Sequence, residues 1–274
     1  MIPLPAGQQY HVLFNHMIFN REDLQAFMPK DTFYFAIMRD PEDRFVSSFV
    51  YYRVGGYLMK RFGLTNLKDA LMFMINRVDK VKISLPEVHN SFASDTGLRA
   101  IEQLDVRSIK AHIRRLERDL DLVMVVEYFD ESLVLLKRRA CLSTQDIIYS
   151  VKNARQQGLR FRPNFTLQER ESFQKFQMAD VLIYNHFYKR FWELVYAEGP
   201  DFFTEVQHLK QIRRTVEDFC GSVASRWDFV NISRSAWNKE FMVTARECRL
   251  MAINELDMQL LLMHRASLLS DVNG

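Results

Sequence analysis

The chain has 274 residues, 48% hydrophobic and 26% charged, a folded composition with room for one large domain or two small ones. Its 37 basic and 34 acidic residues leave a formal charge of +3, too balanced for a dedicated nucleic-acid binder. The longest uncharged apolar runs, 33–38 and 70–75, fall far short of the roughly 20 residues a membrane span needs, and three cysteines (Cys141, Cys220, Cys248) are too few for a disulfide scaffold and match no zinc spacing.

Residues 10–14 and 33–38 are short, apolar and aromatic-rich, and read as buried strands. Between them, residues 21–28 read as a helix stopped near Pro29. After the second strand comes Arg39-Asp40-Pro41-Glu42-Asp43. Asp40 suits an N-cap, Pro41 the first helical position and the acids the first turn, so a helix is expected to about Tyr52, ending before Gly55-Gly56. Residues 67–79 read as helix and 80–100 as loop. Residues 106–119 read as a basic amphipathic helix with Ile109, Ile113 and Leu116 on one face. Residues 122–126 read as a third buried strand, followed by a helix opened by Asp130-Glu131 and closed by Lys137, Arg138 and Arg139. Residues 152–168 read as basic and irregular. Long helices are expected over 167–198, 201–219 and 239–269, with a polar break at 221–238 as the only linker candidate. Strand, helix, strand, helix implies a parallel α/β sheet with flanking helices and a helix-rich C-terminal half. The expectation is one domain over 1–274, with an α/β core in 1–150 and a mainly helical part in 151–274.

In open α/β sheets, ligands bind beyond the carboxyl ends of the strands. There the sequence places Asn15-His16, Arg39 and Glu127. Arg39 leaves a strand, and Ser47 follows two turns into the next helix. A phosphate beside that helix would take a charge-assisted fork from Arg39 and a hydroxyl bond from Ser47. The first-turn acids exclude an anion on the helix axis itself, and Arg39 equally suits a salt bridge. His16 suits either proton transfer or a structural hydrogen bond. Glu127, Asp130 and Glu131 read as paired carboxylates or, for the last two, as helix-capping residues. Asn153, Arg155, Arg160 and Arg162 with Phe161 and Phe165 form a basic aromatic patch, equally a solvated face. Asn164-Phe165-Thr166 and Asn231-Ile232-Ser233 are N-glycosylation sequons. No Walker A loop, GxSxG, HExxH or EF-hand loop occurs.

Arg39 and Ser47 within "FAIMRDPEDRFVSSFVYYR" resemble the 3′-phosphate motif of sulfotransferases that use 3′-phosphoadenosine 5′-phosphosulfate (PAPS). With "LPAG", "FNHMIFN", "MPKDTFYFAIMRDP", "EYFDESLVLLKRRAC", "NAR", "YNHFYKRFW" and "ECRLMAINEL", the chain resembles the galactose 3-O-sulfotransferase family, which includes galactosylceramide sulfotransferase. The resemblance implies a P-loop-like sulfotransferase fold and a Golgi type II membrane enzyme with a lumenal catalytic domain. Its reaction would move a sulfuryl group from PAPS to the 3-hydroxyl of a β-galactose on a glycolipid or glycan, without a metal and without nucleic acid. A homo-oligomer is compatible with it.

By resemblance, Arg39 and Ser47 contact the 3′-phosphate, His16 is the acceptor-side base or a galactose contact, and Asn153 and Arg155 approach the nucleotide or acceptor. The family's Arg in the His-Met-Arg-Phe-type stretch is Ile18 here. Family members with cysteines at both places, and a disulfide-permissive Golgi lumen, imply a Cys220–Cys248 bond, with Cys141 a free thiol on a buried helix. The family's first strand, its Lys-Thr-His-Lys-Thr-like 5′-phosphosulfate loop and its membrane anchor are expected to be missing from this chain. The polypeptide as written is therefore expected to bind PAPS weakly and transfer no sulfate. The alternative reading is a truncated or non-catalytic relative that binds glycan or a family partner.

Overall fold

The structure, a computed structural model, describes residues 10, 12–13, 17–77, 87–151 and 161–272, with 255 and 265–272 described by backbone alone. In chain order come α1 (Arg21–Gln25), β1 (Phe35–Met38), α2 (Pro41–Tyr51), α3 (Val54–Phe62), α4 (Leu67–Asn76), α5 (Ser91–Asp95) and α6 (Val106–Asp119). Then follow β2 (Leu122–Val125), α7 (Phe129–Arg139), α8 (Leu167–Phe176), α9 (Met178–Ala197) and α10 (Phe202–Ser222). The chain closes with β3 (Phe229–Ile232), β4 (Phe241–Thr244), α11 (Ala245–Ala252) and α12 (Glu255–Val272).

β1 and β2 pair in parallel, Phe35 opposite Leu122 and Met38 opposite Val125. All four β2 residues are buried, as expected for a strand covered on both faces. β1 departs from the buried strand expected there: Phe35 and Ile37 are exposed while Met38 is buried. Tyr10, Val12 and Leu13 lie in no strand, and Val12 is exposed, so the strand expected over 10–14 does not appear at its described residues. Ile109, Ile113 and Leu116 of α6 pack with β2, with Leu133–Leu136 region residues of α7 such as Val134 and Leu135, and with Ile183, Phe187 and Phe191 of α9. Each such side chain taken fully from water contributes about 1.5–3 kcal/mol. A second cluster joins Phe45 and Phe49 of α2 to Leu58, Leu71, Met74, Phe173 and Phe176.

Several boundaries differ from the sequence expectation: the helix expected over 239–269 gives way to β4 and then to the separate helices α11 and α12, and the loop expected over 80–100 holds α5. Gly55-Gly56 do not end a helix; they sit inside α3. A Cβ on Gly55 would lie 2.6 Å from Leu67 Cδ2 and 2.7 Å from Phe49 Cε1, so this glycine is a packing contact. The helix expected over 167–198 breaks at Gln177, whose side chain accepts from Asn90 N at 2.7 Å and donates to Val88 O at 2.8 Å. The supposed linker at 221–238 holds β3, which pairs antiparallel with β4, and the hairpin packs Ile232 and Val243 on Ile212 and Val216 of α10. Cys141 is a free thiol but lies just past α7, exposed, with a positive φ of 54°, rather than buried on the helix. No described helix is long and apolar enough to cross a membrane.

His112 of α6 anchors the loop after α5. Arg115 donates to His112 Nδ1 at 3.1 Å, so this ring nitrogen accepts and Nε2–H donates to Thr96 Oγ1 at 2.9 Å. Burial, and then the Arg115 charge, push the imidazole down to about 4. The unfolded chain therefore binds the extra proton between about pH 6.5 and 4, and stability present above 6.5 is lost as the pH falls through that window. The melting midpoint is expected to drop over this range, and His112→Gln to flatten the dependence. An unchanged slope in the variant would place the acid sensitivity elsewhere.

Candidate functional site

The parallel register brings two strand ends together, Arg39-Asp40 after β1 and Val126-Glu127 after β2. Asp40 caps α2 by accepting from Asp43 N at 3.0 Å, with Pro41 at the first helical position. Arg39 emerges from the strand end and its guanidinium meets Asp43 at 3.3 Å, both groups substantially exposed. Asp43 and Ser47 are one turn apart on α2 and share a helix face. Arg39 therefore stands over the same face as Ser47. The Ser47 hydroxyl is half-buried and has no hydrogen-bond partner among the described residues.

The acids around this corner are separately engaged. Glu42 takes Arg170 at 2.5 Å; burial, Asp40 and Asp43 still hold its carboxyl above the usual range. Arg44 pairs with Asp95 at 2.9 Å. Glu127 accepts from Asp40 N at 2.9 Å and from Tyr184 Oη at 3.2 Å. Burial, and then the charges of Glu127 and Asp40, push the Tyr184 phenol up, keeping it a donor. Near α2, Tyr51 and Tyr52 are exposed and meet edge to face at 5.0 Å between ring centres.

Other candidates lie elsewhere. Asp130 and Glu131 do not join Glu127: Tyr149 Oη donates to Asp130 at 3.0 Å, and Lys210 of α10 meets Glu131 at 3.2 Å. They tie α7 to α10, so the paired-carboxylate reading gives way to a structural one. Phe165 is buried and offers no ring for stacking, Phe161 is half-buried against the second core cluster, and Arg162 is exposed. His16, Asn153, Arg155 and Arg160 lie outside the described residues. Asn164 and Asn231 are both exposed, Asn164 ahead of the Thr166 cap of α8 and Asn231 on β3. Cys220 and Cys248 are disulfide-bonded, with Cα atoms 5.4 Å apart. Among the described residues no cluster of three or more His, Cys, Asp or Glu side chains could hold a metal. The sequence offered no signal for the Glu127–Tyr184 contact, which joins residues 57 positions apart.

A profile of the galactose-3-O-sulfotransferase family matches residues 2–227. The chain belongs to the galactose-3-O-sulfotransferase family. Mouse galactose-3-O-sulfotransferase 2 is 30% identical over 221 residues, covering 78% of this chain and 55% of the mouse protein. Human galactose-3-O-sulfotransferase 2 is 32% identical over 219 residues, 78% of this chain and 54% of that protein. Bovine galactosylceramide sulfotransferase is 28% identical over 216 residues, 78% and 51%. The chain thus spans about half the length of the curated relatives it matches. No solved structure matches significantly. The family match takes in the β1–α2 corner, the β2 end and the helices through α10, and ends at Trp227, before β3.

Proposed function

We propose that the protein is a carbohydrate sulfotransferase that moves a sulfuryl group from PAPS to the 3-hydroxyl of a β-galactose on a glycolipid or glycan. The observation that carries this is Arg39 at the carboxyl end of β1, over the α2 face that holds the Ser47 hydroxyl, which has no partner among the described residues. Together they fit the 3′-phosphate of the donor, Arg39 as a charged fork and Ser47 as a neutral donor. In the reaction, the galactose oxygen would form a bond to sulfur as the bond from sulfur to the 5′-phosphate oxygen breaks. A base takes the hydroxyl proton, and adenosine 3′,5′-bisphosphate (PAP) leaves. Such transfer asks the protein chiefly for positioning and charge stabilisation. His16 is the proposed base, and Asn153 and Arg155 further nucleotide or acceptor contacts. The chain is proposed to work in the Golgi lumen as part of a membrane-anchored protein, with Asn164 and Asn231 open to N-glycosylation and the disulfide suited to that compartment.

The test is binding, because it reads the 3′-phosphate contacts by themselves. PAP should bind the polypeptide more tightly than adenosine 5′-phosphate, which lacks the 3′-phosphate, in an NMR titration. Equal affinities would overturn the reading. Asp43 competes with the phosphate for Arg39, so Asp43→Asn should tighten PAP binding by about two- to fivefold, the scale of an exposed ion pair. Weaker binding would show that the Asp43 contact helps to orient Arg39 for the ligand.

A further inference from the structure

We infer that Glu127 is a positioning residue that holds the Arg39-Asp40 turn in place for the donor's 3′-phosphate; this rests on the reading of Arg39 just given. Met38 is opposite Val125 in the parallel register, so continuing both chains by two residues sets Asp40 beside Glu127. The regular strand ladder has ended there, since Val126 opens a short 3-10 turn. Glu127 replaces the ladder with its side chain. One carboxylate oxygen takes the Asp40 N–H at 2.9 Å and the other takes the Tyr184 hydroxyl at 3.2 Å. The backbone group immediately after Arg39 is thereby tied to the neighbouring strand and, through Tyr184, to α9.

Asp40 also caps α2 with its side chain, so one residue carries both the helix start and the strand-end tie. Arg39 leaves the backbone between the last β1 residue and this double anchor. Its reach toward Ser47 is set by the peptide that Glu127 holds. An acid beside a phosphate site is otherwise unfavourable, because its charge repels the ligand. The hydrogen bonds supply a reason for an acid at this corner.

The two effects of Glu127 have opposite signs, which makes the inference testable. If only its charge mattered, Glu127→Ala and Glu127→Gln would both bind PAP more tightly. If it positions Arg39, Glu127→Ala should weaken PAP binding about tenfold, the scale of one well-placed hydrogen bond. Glu127→Gln keeps an oxygen for Asp40 N–H and should stay within about twofold of the parent chain. In an Arg39→Ala background, Glu127→Ala should add less than about twofold, because the residue acts through Arg39. Melting curves of each variant establish that the fold is retained, and Tyr184→Phe provides a milder second lesion of the same tie.

Unchanged or tighter PAP binding by folded Glu127→Ala overturns the inference, as does a full tenfold loss in the Arg39→Ala background. Equal damage from Glu127→Gln and Glu127→Ala overturns it too, since an accepting oxygen for Asp40 N–H would then not be what counts. If the parent chain shows no preference for PAP over adenosine 5′-phosphate, the reading of Arg39 fails and this inference with it.

Discussion

Arg39→Ala is expected to weaken PAP binding by about 2–4 kcal/mol, the range for losing a charge-assisted fork, and to bring it to the level of adenosine 5′-phosphate. Among the described residues the guanidinium has one exposed contact to give up, to Asp43 at 3.3 Å, so this alternative partner is weak. Removing it also leaves Asp43 facing the site without a counter-charge. Arg39→Lys should recover only part of the loss, because an ammonium is a point charge and cannot make two parallel bonds to a phosphate. Ser47→Ala should cost less, about 0.5–1.5 kcal/mol for a neutral hydroxyl. Arg44→Ala is the control: Arg44 is also on α2, but it is paired with Asp95 at 2.9 Å. It should leave the preference for PAP over adenosine 5′-phosphate intact. A preference that survives Arg39→Ala, or one abolished by Arg44→Ala, would move the phosphate off the proposed corner.

The parts of this corner that the sequence displays are those governed by local chemistry. Asp40 and Pro41 announce the start of α2 because a cap and a first-turn proline act within three residues. The 3.6-residue spacing of Ile109, Ile113 and Leu116 marks α6 as an amphipathic helix and picks out its buried face. What the sequence conceals depends on distant partners. Gln177 breaks an otherwise continuous helical pattern only because Asn90 and Val88 lie within reach of its amide. Asp180 looks like a surface residue of α9, yet it is buried and accepts from Phe92 N at 3.1 Å and Ala93 N at 2.8 Å. Burial pushes its carboxyl above the usual range against the pull of those donors. The β3–β4 hairpin is hidden because four-residue strands separated by a stretch with Ser233, Ser235 and Asn238 read as a polar break. Of the proposed site, Arg39 and Ser47 are visible in the sequence from their spacing after a strand. The tie from Glu127 to Asp40 spans 87 residues and leaves no local trace.

Replacing Cys220 and Cys248 together by serine is expected to cost about 3–4 kcal/mol of stability, from the chain-entropy treatment of a loop of this length. The bond joins positions 28 residues apart, one in the last turns of α10 and the other in α11. Between them lie β3 and β4, so the closed loop is the hairpin itself. Besides the bond, the β3–β4 connection is held by Lys137 Nζ and Thr144 Oγ1, which donate to Trp237 O at 2.6 and 3.0 Å, and by His208 beside Ser235 and Asn238. The hairpin's buried cluster is small, with Ile232 and Val243 resting on Ile212 and Val216, while Trp227, Phe229 and Met242 are exposed. A two-stranded ribbon is marginal without such support. The loss should therefore appear first as local opening: faster amide exchange in β3 and β4 and new protease cleavage near Arg226 and Arg234, ahead of any change in the β1–β2 region. Local opening need not reach the donor corner, so the preference for PAP should persist in the variant. The parent protein should titrate with one reactive thiol, Cys141, which is exposed. Three reactive thiols in the folded, unreduced protein would show that the bond does not form. A single thiol together with an unchanged melting midpoint in the double variant would show instead that the hairpin is held by its packing and hydrogen bonds alone.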